Sequence, residues 1–243
     1  MSAPNGPLVG ILGGMGPAAT VDFYAKLLAA TPATGDQEHL RVMIWADPTV
    51  PDRSAAIVAG GEDPTPKLIE GARQLQRAGA AFYVVPCNGA HAFLPQVRAA
   101  VDLDYVSLIE VTAAQVANLV GGGGAGLIGT DATLASGLYT NALSKVGVQP
   151  VVPSQDAQKT VMDSVYAVKA GGVSDRQREK LVDVAHGLVA DGADVIVAAC
   201  TEIPLALTPD VSPRPLIDPA VLLADAAVAE AAKWAKKPQR NLK

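Results

Sequence analysis

The sequence predicts an α/β protein of two similar lobes, each a parallel sheet flanked by helices, facing each other across a cleft. Three observations predict it. Short apolar, β-branched runs alternate with Ala-rich helical stretches along the chain, the mark of parallel strands buried on both faces. Each half opens with a strand running into a Gly-containing turn, ILGG at 11–14 and LIGT at 127–130. Each half later carries a strand that ends in Cys, VVPCN and VAACT, with 74 positions from Gly13 to Cys87 and 71 from Gly129 to Cys200.

The elements follow in order. Leu8–Gly14 reads as a buried strand, and Pro17–Ala30 as a helix with Pro in the first turn, where its missing N–H costs nothing. Arg41–Asp47 is the next strand. Pro64–Ala78 is helical and stops at Gly79. Ala81–Cys87 is a strand, a short helix runs through Val97, and Tyr105–Glu110 is a further strand. The pattern restarts after a Gly run expected to be flexible, Gly121–Gly124. Gly126–Thr130 is a strand, Leu134–Val146 a helix, and VQPVVP at 148–153 a Pro-interrupted strand. Helices over Gln155–Lys169 and Ser174–Ala190 precede the strand Asp194–Cys200 and a short helix over Thr201–Leu207. Pro215–Asp218 is the last strand and Ala220–Lys236 a long Ala-rich helix. The division expected from this is 1–104 plus 215–243 for the lobe with Cys87, and 105–214 for the lobe with Cys200.

Composition narrows the function. Of 243 residues, 49% are hydrophobic and only 4% aromatic, so Ala, Val, Leu and Ile must fill the core. A net charge of −5 argues against nucleic acid, which asks for a basic face. The one basic cluster, Lys236, Lys237 and Arg240, reads as a solvated tail. No apolar run suggests a membrane span, and the N-terminus lacks the pattern of a signal peptide. A cytoplasmic protein is therefore expected, its two cysteines free thiols rather than a disulfide framework. No cofactor is expected. GILGGMGP lacks G-x-G-x-x-G spacing, there is no P-loop lysine, and the two Cys and three His lack zinc-ligand spacing.

Both cysteines fall at predicted strand ends, just before a helix. Ligands bind at the carboxyl ends of parallel strands. A helix N-terminus stabilises a thiolate, so both thiols are expected to ionise readily. The plain alternative is that each Cys is a small buried hydrophobe. Matching positions in matching halves favour chemistry. A base on each wall of a cleft can remove a proton from one face of a carbon and return one to the other.

GILGGMGPAAT (Gly10–Thr20), PDR (Pro51–Arg53), PCNGAH (Pro86–His91), ACTEIPL (Ala199–Leu205) and LIDP (Leu216–Pro219) resemble, in order, the signature blocks of the aspartate/glutamate racemase family. The resemblance implies flavodoxin-like lobes, a small-molecule amino-acid substrate between them, a homodimer, and Cys87 and Cys200 as the acid/base pair. It makes Arg53 the partner of a substrate carboxylate, and Lys169 a second cation. Met15, Asn88, Gly89, Thr130 and Thr201 would line the cleft. Glu202 and His91 would support the two cysteines, although each reads equally well as a structural group. Gly89 stands where the family commonly carries Thr, which removes a hydroxyl and opens room beside the substrate. Ala199 replaces a common Gly. Competing readings are a decarboxylase or isomerase of the same superfamily, and a non-catalytic two-lobed protein that clamps a small anion.

Overall fold

A computed structural model describes residues 6–236. The basic cluster at Lys237 and Arg240, with the side chain of Lys236, lies outside the described residues. The chain runs β1 (Leu8–Gly13), α1 (Pro17–Ala30), β2 (Arg41–Ala46), α2 (Arg53–Val58), α3 (Thr65–Arg77), β3 (Phe82–Val84), α4 (Leu94–Ala100) and β4 (Tyr105–Val106). It continues with α5 (Leu108–Val120), β5 (Gly124–Gly129), α6 (Asp131–Ala135), α7 (Leu138–Lys145), β6 (Gln149–Val151), α8 (Gln155–Lys169), α9 (Asp175–Ala190), β7 (Ala193–Ala199), β8 (Leu216–Ile217) and α10 (Pro219–Lys236). The strands form two parallel four-stranded sheets of the same order, β2-β1-β3-β4 and β6-β5-β7-β8. The expected pair of α/β lobes is present.

Alternation along the strands builds a layered molecule. Val9 and Ile11 of β1 and Val195, Val197 and Ala199 of β7 face one shared central core. Side chains of α1, α5, α7 and α10 fill that core between the sheets. Leu12 points the other way, onto a layer that includes Leu68, Ala72 and Leu75 of α3 and Leu94 and Val97 of α4. Ile196 and Ala198 point outward onto α8 and α9. Burying a Leu or Val side chain is worth roughly 1.5–3 kcal/mol, so the central helices weld the lobes into one body.

The lobe boundary differs from the sequence-based division at two strands. Tyr105–Val106 pairs with Tyr83–Val84 in the first sheet, although it was expected to open the second lobe. Leu216–Ile217 pairs with Ile196–Val197 in the second sheet, although it was expected in the first. Each lobe thus finishes its sheet with a two-residue strand, too short to carry a pairing signal of its own.

Three local expectations also change. The strand predicted over Tyr105–Glu110 ends at Val106, because Ser107 caps α5 by accepting the Glu110 N–H at 3.2 Å. The helix predicted over Leu134–Val146 breaks at Gly137, whose φ of 66° is left-handed, into α6 and α7. The stretch Thr201–Leu207 holds only a 3-10 turn over Ile203–Leu205. The last glycine of the Gly run, Gly124, is the buried first residue of β5.

Candidate active site

The carboxyl ends of the central strands open onto one narrow cleft. Four loops build its walls. After β1 the chain turns at Gly14, with φ 90°, and presents Met15 to the cleft. Thr20, on the first turn of α1, holds the turn by accepting the Gly14 N–H at 2.8 Å and donating to the Gly16 carbonyl at 3.0 Å. After β3 come Cys87, Asn88 and Gly89; the Cys87 N–H donates to the Val85 carbonyl at 2.8 Å. In the second lobe, Thr130 follows β5 and caps α6, accepting the Thr133 N–H at 3.2 Å. Cys200, Thr201 and Glu202 follow β7. Helix α2 of the first lobe packs against α6 of the second. The lobes therefore touch directly beside the cleft.

Ten of the eleven residues singled out from the sequence line this one cleft: Met15, Arg53, Cys87, Asn88, Gly89, Thr130, Lys169, Cys200, Thr201 and Glu202. Cys87 and Cys200 are both buried, free thiols, each 7% exposed. Asp52, Ser54 and Thr133 join the lining without having been anticipated. Asp52 and Thr133 had a legible signal. Asp52 caps α2 by accepting the Ala55 N–H at 2.8 Å, and Thr133 stands in the first turn of a helix capped by Thr130.

The two cysteines do not share an environment. Cys200 donates its S–H to Glu202 Oε2 at 2.9 Å, and Thr201 donates to the same oxygen at 3.2 Å. Burial, and then the Glu202 carboxylate beside it, push the Cys200 thiol well above its usual ionisation range. The expectation that both thiols would ionise readily is corrected for Cys200 in the ligand-free protein. One reason is that neither cysteine sits directly on an α-helix. Both are followed by 3-10 turns, Gly89–Ala92 and Ile203–Leu205.

Arg53 opens α2. Its Nη1 donates to the Val50 and Pro51 carbonyls at 3.1 and 2.9 Å, while its Nε is buried with no partner. Its stem is thereby held in place beside the cleft. Lys169 is exposed at the end of α8, and its Nζ lies 6.0 Å from the Tyr166 ring centre. Gly89 has no left-handed backbone, and a Cβ there would meet only the Arg53 Cβ, at 3.4 Å. Neither backbone nor neighbours demand a glycine, so its bareness leaves open space in the cleft beside Arg53.

His91 is the exception. Its Nε2 accepts the Leu108 N–H at 3.1 Å, and its Nδ1 donates to the Cys87 carbonyl at 2.9 Å. Both ring nitrogens are occupied, and the ring borders a separate groove with Tyr105 and Glu110. His91 is thus a satisfied strut beneath the Cys87 loop rather than a group turned into the cleft. Burial lowers it from 6.5 to about 4. Between those values the unfolded chain binds a proton that the folded chain refuses. The stability this represents is complete above pH 6.5 and is lost as pH falls towards 4, by about 3 kcal/mol at most. The wild-type thermal midpoint is expected to fall across that window more steeply than that of His91→Asn. Equal slopes for the two proteins would show that His91 is protonated without cost.

The sequence profile of the Asp/Glu/hydantoin racemase family matches residues 12–227. The broad specificity amino-acid racemase RacX of Bacillus subtilis is 27% identical over 225 residues, covering 91% of this chain and 96% of that protein. The structure of Picrophilus torridus aspartate racemase superposes with a TM-score of 0.83 at 33% identity, covering 93% of this chain and 95% of that one. Francisella tularensis glutamate racemase, solved with D-glutamate, shares the fold at a TM-score of 0.71 and 15% identity, over 98% of this chain and 86% of that one.

Proposed function

This chain belongs to the Asp/Glu/hydantoin racemase family and is an amino-acid racemase, and we propose that it works without a cofactor, by proton transfer between Cys87 and Cys200. The observation that carries the mechanism is the pair of buried thiols on the walls of one cleft, one from each lobe. In the ligand-free protein Cys200 holds its proton against Glu202. Cys87 is then the base: its thiolate takes the α-proton from one face of the substrate carbon. The electron pair left behind delocalises into the substrate carboxylate, and Cys200 delivers its proton to the opposite face. The products are the mirror-image amino acid, a Cys87 thiol and a Cys200 thiolate. Proton exchange of both sulfurs with water, or passage of the other enantiomer in the reverse direction, restores the starting state. Glu202 helps to hold Cys200 in its acid form. His91 acts only by bracing the Cys87 loop.

We assign the substrate as an acidic amino acid, aspartate or glutamate. The supports are the cations Arg53 and Lys169 on the cleft and the aspartate racemase at 33% identity. Gly89 favours a second reading, a wider range of side chains, because the space beside Arg53 is unfilled. A decarboxylase on this scaffold would need one thiol as proton donor, whereas here both walls carry one. We assign the working form as a homodimer, as the family resemblance implies, and its compartment as the cytoplasm, as the N-terminal sequence and the two free cysteines suggest; equilibrium sedimentation measures the assembly. Among the described residues, no helix is long and apolar enough to cross a membrane.

The test is a racemase assay over a panel of L- and D-amino acids with no cofactor added, before and after exhaustive EDTA treatment. Activity is expected on aspartate or glutamate in both. Activity lost to EDTA and restored by a metal would overturn the cofactor-free reading. Exchange of the α-proton in D₂O distinguishes an enzyme from a protein that only clamps its ligand. Arg53→Ala is expected to raise the KM for acidic substrates about tenfold or more and that for neutral ones less, since a charge-assisted hydrogen bond contributes about 1.5–3 kcal/mol. Equal losses on both would make Arg53 a structural residue.

A further inference from the structure

Asn88 follows Cys87 in the first lobe, is 3% exposed, and lines the cleft. Its amide is half satisfied. Oδ1 accepts a hydrogen bond of 2.6 Å from the hydroxyl of Tyr139, while Nδ2 is buried with no partner. Tyr139 stands on α7 in the second lobe, 51 positions away, and is 1% exposed. An amide is planar, so holding the oxygen decides where the nitrogen points. An Asn rotated by half a turn presents an acceptor where it had presented two donors. A donor without a partner on a residue that lines the cleft suits an anionic group of the substrate, and an acceptor there repels one.

We propose that Tyr139 is a positioning residue for racemisation: its hydroxyl, reaching across from the second lobe, locks the Asn88 amide with the N–H₂ group turned towards the substrate carboxylate. The inference rests on the reading of the cleft as an amino-acid site. It extends that reading by tying substrate binding to the joined state of the lobes, because the donor belongs to one lobe and the acceptor to the other. The hydroxyl stays a donor at any working pH, since burial pushes its ionisation above the ordinary tyrosine range. Its partner oxygen is buried too, so the lock is not diluted by water.

The test compares wild type with Tyr139→Phe, Asn88→Ala and the double variant, using L-aspartate. Tyr139→Phe keeps the packed ring and removes the hydroxyl, which meets Thr112 as well as Asn88; Thr112→Val is the control for the Thr112 contact and is expected to leave KM near that of wild type. KM is expected to rise about tenfold or more, with kcat within about threefold and an unfolding midpoint near that of wild type. The double variant is expected to be no worse than Asn88→Ala alone, because the hydroxyl acts only through the amide. An unchanged KM in Tyr139→Phe, or losses that multiply in the double variant, would overturn the proposal. A readout without turnover separates this from a wrong reading of the reaction. The side-chain amide signals of Asn88 in a ¹H–¹⁵N spectrum of the free protein, assigned by their loss in Asn88→Ala, are expected to shift and split in Tyr139→Phe. Unchanged signals refute the lock whether or not the protein turns over aspartate. Signals that shift in Tyr139→Phe, with a wild type that has no racemase activity, leave the lock standing and refute the function.

Discussion

Serine at position 87 or 200 is expected to reduce racemisation by about a thousandfold or more, since a positioned acid or base contributes about 10²–10⁴-fold and a serine hydroxyl ionises far above neutral pH. The substitution changes one atom in a buried site, so the fold should survive; circular dichroism checks that. The distinguishing result lies in isotope exchange. If each cysteine serves one face of the carbon, the variant that keeps the base for one enantiomer can still open that enantiomer's C–H bond. Residual α-proton exchange in D₂O should therefore favour L in one variant and D in the other. The environments add an asymmetry to look for. Cys200 is held as a thiol by burial and Glu202, so alkylation of Cys200 in the free enzyme should rise only at alkaline pH. Glu202→Gln removes the neighbouring charge and should move that rise to lower pH. Full racemisation by either serine variant would end the two-base account. An alkylation profile unmoved by Glu202→Gln would end the role given to Glu202.

The second large effect concerns stability. Gly14→Ala is expected to destabilise the protein by about 3 kcal/mol or more, enough to be read directly from a denaturant titration. Two causes act together. The backbone at Gly14 is left-handed, at φ 90°, and a Cβ there would lie 2.4 to 2.6 Å from the backbone N, C and O of Asp47. Backbone cannot swing aside as a flexible side chain can, and the turn is also tied by the Gly14 N–H to Thr20. Gly89→Ala is the control, because its Cβ would meet only Arg53 Cβ at 3.4 Å. That variant should unfold near wild type and alter substrate preference instead. Were Gly14→Ala within about 1 kcal/mol of wild type, the β1–α1 turn would have to be far more adaptable than its packing shows.

Much of this protein is written locally. Apolar strand runs, Ala-rich helices and the repeated placement of a terminal Cys determined two parallel-sheet lobes, with both thiols at strand ends facing one cleft. Such features depend on residues a few positions apart, so period and composition carry them. The capping serine that ends the strand at Val106 and starts the helix at Leu108 was also local and legible; the apolar run around it reads either way. What only the tertiary structure decided depends on partners far apart in the chain. The strands β4 and β8 have two residues each, and their lobe was settled by which sheet offered an open edge, at Tyr83–Val84 and Ile196–Val197. His91 reads from the sequence as a candidate base. It became a strut because the Leu108 N–H, 17 positions on, took its second nitrogen. Asn88 gained its direction from Tyr139 only once the lobes met. Hydrogen bonds of this kind form when folding brings two buried polar groups together, and a buried group left unpaired is costly. A sequence read residue by residue names the groups that need partners, while the packed chain decides which partner each one finds.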